Sequence, residues 1–172
     1  TTSATTLHDI LRKLDANAKV DFLLQDSNKL KLTSANSKFN LLCMPSDTFP
    51  FPEEDKNLSS FEISAVELSK LLNKTKIAIS NDETRHYLNG IYFHKINLNN
   101  KFYLSAVATD SHRLSSCRIP IDSSINFESI ILPKKTIFQL ISLLEQNSGK
   151  IQISNSKSKI QFMIGSSLLI SK

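Results

Sequence analysis

Apolar residues fall at helical spacing in three stretches of the chain and alternate with polar residues in much of what lies between. In TTLHDILRKLD, from Thr5, the residues Leu7, Ile10, Leu11 and Leu14 stand at i, i+3, i+4 and i+7. In KTIFQLISLLE, from Lys135, Ile137, Leu140, Ile141 and Leu144 repeat that spacing. Each set is one apolar stripe of an amphipathic helix. A third helix is expected within FEISAVELSKLLNKT, where Leu68, Leu71 and Leu72 form the stripe. Ser64, with Glu67 three residues on, makes a capping-box pattern at its start.

Each helix is followed by three short runs with strand patterning, divided by Ser, Asn and Asp turn residues. After the first come KVDFLL, NKLKLTS and SKFNLLC; after the last come KIQIS, SKIQFMI and SSLLIS. After the middle helix come HYLNGIYFHKI, FYLSAVATD and HRLSSCRIP. ESIIL then leads into the last helix, where Pro133 suits the first helical position. The organisation is thus β-α-β-β-β twice from about Leu58 to the end, preceded by half of such a pair. The expected fold class is α+β, with repeated β-α-β-β-β units. MPSDTFPFPEEDKN, with its prolines, suits neither a helix nor a central strand and reads as a linker. The expected boundaries are 1–50 for the half-pair, 51–57 for the linker and 58–172 for the complete pair.

Composition narrows the function classes. Apolar residues are 40% of the 172, enough to bury a core. The formal net charge of +5 favours an anionic partner only mildly. Cys43 and Cys117 lie far apart, which argues against a disulfide framework or a zinc site and fits a reduced, cytoplasmic home. Apolar runs such as SSLLIS are too short to span a membrane. No basic-then-apolar signal stands at the start. With three glycines, the chain holds neither GxGxxG nor GxxxxGK[ST], and no glycine-rich phosphate loop is expected. The opening TTSATTLHD, without methionine, points to a piece of a longer protein.

One stretch carries candidate chemistry. VATDSHRLSS places Asp110, Ser111, His112 and Arg113 in a row. A nucleophilic triad needs neighbours in space, and consecutive residues seldom provide them. No GxSxG elbow surrounds Ser111. A tight turn between two strands is the simpler reading. The helices add a second feature. Lys70 and Lys74, with Lys76 just beyond, stand on the middle helix, and Lys134 and Lys135 open the last. Arg12 and Lys13 on the first are offset by Asp9 and Asp15. Singly, each is a solvated face; repeated over related helices, they suit a phosphate backbone.

NDETRHYLNGIYF followed by LSAVATDSHRLSS resembles the middle domain of the bacterial DNA sliding clamp, the beta subunit of DNA polymerase III. SKFNLLCMPSDTFP resembles the end of that family's first domain, and SIILPKKTIFQLISLL the start of its second inner helix. IGSSLLISK stops where the crossing into a third domain would begin. The resemblance implies domains of two β-α-β-β-β units, with sheets outside and two helices inside. Three domains form a subunit, and two subunits close a ring on duplex DNA. This chain would hold the second half of domain one and all of domain two, with the third domain absent.

The resemblance also assigns residues. Leu88, Thr109, Ser111, His112, Arg113 and Leu114 would line a cleft that receives short peptide motifs, with a further wall from the third domain. Ser111 departs from the glycine usual at its position, which alters the rim of the pocket. Arg85, His86 and Tyr87 would touch DNA, as would Lys70, Lys74, Lys134 and Lys135. Ile10, Leu11 and Leu14 would meet the third domain of the neighbouring subunit.

The implied partners are double-stranded DNA, the replicative polymerase alpha subunit, the clamp loader and other clamp-motif proteins. The full protein would be a homodimer, with no membrane partner, no metal, no cofactor and no catalysis of its own. Two other readings are a hydrolase using His112 with Asp110 or Ser111, and an interaction module without a DNA role.

Overall fold

The computed structural model describes residues 1–25, 28–49 and 58–172. The chain separates into two compact units, Thr1–Glu54 and Asp55–Lys172. The linker expected at 51–57 lies outside the described residues.

The first unit opens with helix α1 (Ala4–Arg12), whose N-cap Ser3 accepts a hydrogen bond from the Thr6 N–H. Strands β1 (Asp21–Gln25), β2 (Lys29–Ser34) and β3 (Ser37–Leu42) follow as an antiparallel meander in the order β1-β2-β3. Leu32 on the central strand stands opposite both Phe22 and Phe39 and is 1% exposed. Around it the core is thin. Leu7, Ile10 and Leu14 are half-buried, and Leu11, Phe22, Leu23, Leu24 and Leu42 are exposed.

The second unit contains the two repeats. The first is β4 (Ser59–Ser64), α2 (Ala65–Thr75), β5 (Gly90–Leu98), β6 (Lys101–Thr109) and β7 (Leu114–Pro120). The second is β8 (Ile130–Pro133), α3 (Lys134–Glu145), β9 (Lys150–Asn155), β10 (Ile160–Ile164) and β11 (Ser167–Ser171). They make two four-stranded antiparallel sheets, β11-β10-β9-β4 and β7-β6-β5-β8. Each repeat therefore gives its leading strand to the other's meander. β4 alternates buried Phe61 and Ile63 with exposed Ser60 and Glu62, and sets them opposite Ile153 and Ile151 of β9. β8 likewise buries Ile130 and Leu132 and pairs with β5.

One continuous core joins both repeats. α2 contributes Leu68, Leu71 and Leu72, and α3 contributes Ile137, Leu140, Ile141 and Leu144. Ile91, Phe93, Leu104 and Ala106 come from one sheet, and Ile151, Ile153, Ile160 and Phe162 from the other. The helices touch each other; α2 also lies on β6 and β7, and α3 on β5 and β8. Removing this apolar surface from water is the main stabilising term, at about 25 cal/mol per Å².

Local details depart from the sequence expectations in four places. Helix α1 ends at Arg12, so Leu14, expected on its apolar stripe, lies beyond the helix. Ser64 is the N-cap of α2, yet its side chain makes no capping bond. Ser64 is also the last residue of β4, paired with Lys150, and the Ala65 N–H donates to the Gly149 carbonyl. The sheet thus satisfies one of the helix-end donors by a route other than a capping box. HYL is not strand but a 3-10 turn, His86–Leu88, and β5 begins only at Gly90. Pro133 ends β8 and serves as the N-cap of α3, so the helix starts one residue later than expected.

Candidate functional site

The ends of β5, β6 and β8 place most of the candidate residues together. Gly90 opens β5, Thr109 closes β6, and the registers Tyr92–Val107 and Gly90–Pro133 bring these ends to one edge of the sheet. The N-terminus of α3 follows directly from Pro133. The C-terminal turn of α2 joins them, because the Ser115 hydroxyl at the start of β7 donates to the Lys74 carbonyl at 2.6 Å.

The turn between β6 and β7 is organised by Asp110. One carboxylate oxygen accepts from the backbone N–H of His112 (3.1 Å) and Arg113 (3.0 Å), and the other from the Arg113 guanidinium (3.0 Å). The Arg113 and His112 N–H groups and the guanidinium hold the Asp110 carboxyl below the usual carboxylate range. Thr109 stands opposite Leu114, and its hydroxyl donates to the Arg113 carbonyl at 2.8 Å. Ser111 takes φ +77°, the left-handed region where glycine is at ease. Its position therefore keeps the backbone that a glycine would adopt, with a hydroxymethyl group added at the rim.

These bonds do not favour the hydrolase reading. Asp110 serves the His112 backbone and Arg113, not an imidazole. The Ser111 hydroxyl accepts from the Arg85 Nη1 at 2.7 Å. A triad requires the carboxylate to orient the histidine ring and the ring to take the serine proton. Neither bond is present in this hairpin, which is a turn.

The second loop runs from Ser80 to Asn89. Asp82 is its anchor. Oδ1 accepts from the Thr84 N–H (3.0 Å) and hydroxyl (2.6 Å), and Oδ2 accepts from the Arg85 Nε (2.7 Å). The Thr84 hydroxyl and N–H, followed by Arg85, lower the Asp82 pKa to about 2. The Ser80 N–H donates to the Leu88 carbonyl, which closes the loop at its base. His86 and Tyr87 lie outward on the 3-10 turn, with Tyr87 66% exposed. Leu88 is half-buried, while Leu114 remains 67% exposed.

On its other side this loop meets α3. The Lys134 N–H donates to the Asn89 carbonyl, and the Lys134 ammonium donates to the Asn81 side chain. An open hollow of about 890 Å³ lies here, lined by Asn81, Asn89, Lys134, Lys135 and Phe138 among others. Lys70 and Lys74 stand four apart on the exposed face of α2, and Lys135 is exposed on α3. Lys134 differs from Lys70, Lys74 and Lys135 in being half-buried, and its ammonium is tied to Asn81. Ile10 and Leu14 line a separate shallow hollow within the first unit with Asp9, Lys13 and Phe39, beside the exposed Leu11.

Asp82, Asn81 and Ser115 were not among the sequence candidates. The Asp-x-Thr pattern of Asp82 and Thr84 is a turn-former that could have marked the first of them. The bonds of Asn81 and Ser115 to distant segments had no sequence counterpart. Among the described residues no three His, Cys, Asp or Glu side chains gather as a metal site. No described helix is long and apolar enough to cross a membrane.

Two helices on two four-stranded antiparallel sheets, built from paired β-α-β-β-β units, make the second unit a DNA sliding-clamp domain. Residues 62–172 match the family described as DNA polymerase III beta subunit, central domain, and residues 1–53 match its N-terminal domain. The chain belongs to the DNA polymerase III beta subunit family. It is 36% identical, over its whole length, to 47% of the beta sliding clamp of Caulobacter vibrioides strain NA1000 / CB15N. Against the Rickettsia bellii beta sliding clamp it is 32% identical over 99% of its length and 44% of the relative. A solved sliding clamp from Bartonella birtlesii, bound to griselimycin, superposes with a TM-score of 0.89 at 35% identity, over 99% of this chain and 46% of that one. The chain thus spans about half the length of the relatives it matches.

Proposed function

We propose that the protein containing this chain is a replication processivity factor: a ring of two subunits that encircles duplex DNA and tethers the replicative polymerase. The observation that carries this reading is the gathering of Lys74, Arg85, His86, Tyr87 and Lys135 at the same end of one sheet as the 109–114 turn. Exposed cations there, with Lys70 one turn back, suit weak contacts to phosphate that salt screens. The half-buried Leu88 and exposed Leu114 offer an apolar floor for a Leu or Phe anchor of a partner peptide, and Thr109, Ser111, His112 and Arg113 supply polar groups around it.

In this reading the protein catalyses nothing and holds no cofactor. Its effect is topological, and its home is the cytoplasm. The partners are double-stranded DNA, the polymerase alpha subunit, the clamp loader and other proteins bearing the same peptide motif. Ile10, Leu11 and Leu14 would pack against the neighbouring subunit of the homodimer. Domain one would end near residue 50, and residues 58–172 would form domain two. A third domain would supply the other wall of the cleft, so residues 1–172 tested by themselves are expected to bind motif peptides poorly.

The test loads the full-length protein with its clamp loader and ATP onto nicked circular DNA, removes free protein by gel filtration, and then linearises the DNA. Retention on the circle and release after linearisation is the expected result. Equal retention on both forms means ordinary contacts hold the DNA, and the topological mechanism fails. Reversing the charge of Lys70, Lys74 and Lys135 together should reduce loading; an interaction module without a DNA role would be unaffected.

A further inference from the structure

The Arg85 side chain bridges the two candidate loops. Its Nε is held by Asp82 within its own loop, and its Nη1 reaches across to the Ser111 hydroxyl in the β6–β7 turn, both at 2.7 Å. The acceptor on the far side exists only because residue 111 carries a hydroxyl, at a backbone angle of φ +77° where a side chain is unusual. Arg85 directly precedes His86 and Tyr87, the exposed rings of the loop assigned to DNA. Ser111 sits between Asp110, which organises the turn, and His112 and Arg113, which are assigned to the peptide cleft.

We infer that the Arg85–Ser111 hydrogen bond couples partner-peptide binding to DNA contact in this protein. The inference rests on the assignment of the two loops proposed above. A guanidinium grips a phosphate through two parallel N–H bonds, either end-on through Nη1 and Nη2 or side-on through Nε and Nη2. Nη1 carries two N–H groups and Ser111 takes one of them, so an end-on grip shares Nη1 with the bridge, while a side-on grip displaces Asp82 from Nε. Contact between Arg85 and a DNA phosphate competes with the bridge when it draws the guanidinium away from the Ser111 hydroxyl. Once Arg85 leaves, Ser111 loses its side-chain partner while remaining in a left-handed conformation, and the turn is less firmly held. A peptide that prefers the held turn would be weakened by DNA, and by linkage DNA would be weakened by the peptide to the same factor. Ser111 acts here as a positioning residue through Arg85.

The experiment uses the full-length protein, a fluorescein-labelled peptide carrying Leu and Phe anchors, and a short DNA duplex. Peptide Kd is measured with and without saturating duplex, and the readout is the ratio of the two. The wild-type ratio should be roughly fivefold, within the usual range of allosteric coupling. Ser111→Gly removes the hydroxyl at an angle glycine adopts freely, so folding is not at risk, and its ratio should fall to about one whatever its basal affinity. Ser111→Asn, which tolerates the left-handed region and retains an acceptor, should restore part of the coupling. A wild-type ratio of one, or an unchanged ratio in Ser111→Gly, overturns the inference while leaving the loop assignments intact. Absence of peptide binding by the wild-type protein, or a Tyr87→Ala variant with undiminished DNA affinity, overturns the assignments themselves and the coupling with them.

Discussion

Ile63 on β4 stands directly opposite Ile151 on β9, although the two residues belong to different repeats. Both are buried, and both join the core shared by the two helices. A leading strand exchanged in each direction means that neither repeat can complete its sheet without the other.

Residues 58–172 should accordingly unfold as one unit. Ile151→Ala removes a side chain that is 1% exposed, and it should cost about 3 kcal/mol through lost transfer energy and a residual cavity. Hydrogen exchange of β5, in the other sheet, should accelerate by the same free energy as exchange of β9. Loss of protection confined to the β11-β10-β9-β4 sheet would show that the repeats are separable.

At Gly90 the backbone of β5 lies close against that of β8. A Cβ placed there would lie 2.2 Å from the Leu132 carbonyl oxygen, which is backbone and cannot step aside. Gly90→Ala should destabilise by about 3 kcal/mol, the upper end of ordinary overpacking. The urea midpoint checks this. Because Gly90 follows the 80–89 loop, tyrosine fluorescence from Tyr87 should change as well.

Asp82 gives the candidate loop an acid dependence. Its folded pKa is depressed from 3.8 to about 2. The sign follows from linkage: the stabilising contribution is complete above the unfolded value near 3.8 and is lost as pH falls through about 2. The loop should therefore stay tied at mildly acid pH, with the carboxyl carbon of Asp82 titrating near 2 by NMR. Asp82→Asn should remove that dependence and free Arg85, seen as altered guanidinium proton shifts.

His94 works in the opposite range. Its ring stacks on Tyr92 with centroids 4.7 Å apart, and its Nδ1 is buried with no hydrogen-bond partner among the described residues. Burial lowers its pKa from 6.5. The unfolded chain then binds the proton more readily, so this residue subtracts stability as pH falls through 6.5. His94→Gln should flatten the decline of the urea midpoint between pH 7.5 and pH 5.5. An unchanged slope would place the dependence elsewhere.

The legible parts of the fold were those set by local period. Leu68, Leu71 and Leu72 at helical spacing, and the meander following each helix, came out as read. The 3-10 turn at His86–Leu88 did not, because an apolar residue beside an aromatic one suits a strand equally well until Asp82 and Thr84 close the loop. The capping box at Ser64 failed because the residue serves a β-ladder at the same time. In the candidate site, the unusual Ser111 could be read by position, but its partner could not: Arg85 lies in a distant segment, and only folding brings the two within reach.

Sequence by itself determined the elements, their repeat, and the residue types that mark the two loops, since these follow from side-chain period and turn chemistry among near neighbours. Tertiary structure alone decided which meander receives β4 and which receives β8. Both strands are short, and their alternation fixes which side chains turn inward but not which meander they join. The choice falls to the pairing that lets one core cover both sheets, and to the backbone contact that leaves room only for glycine at position 90.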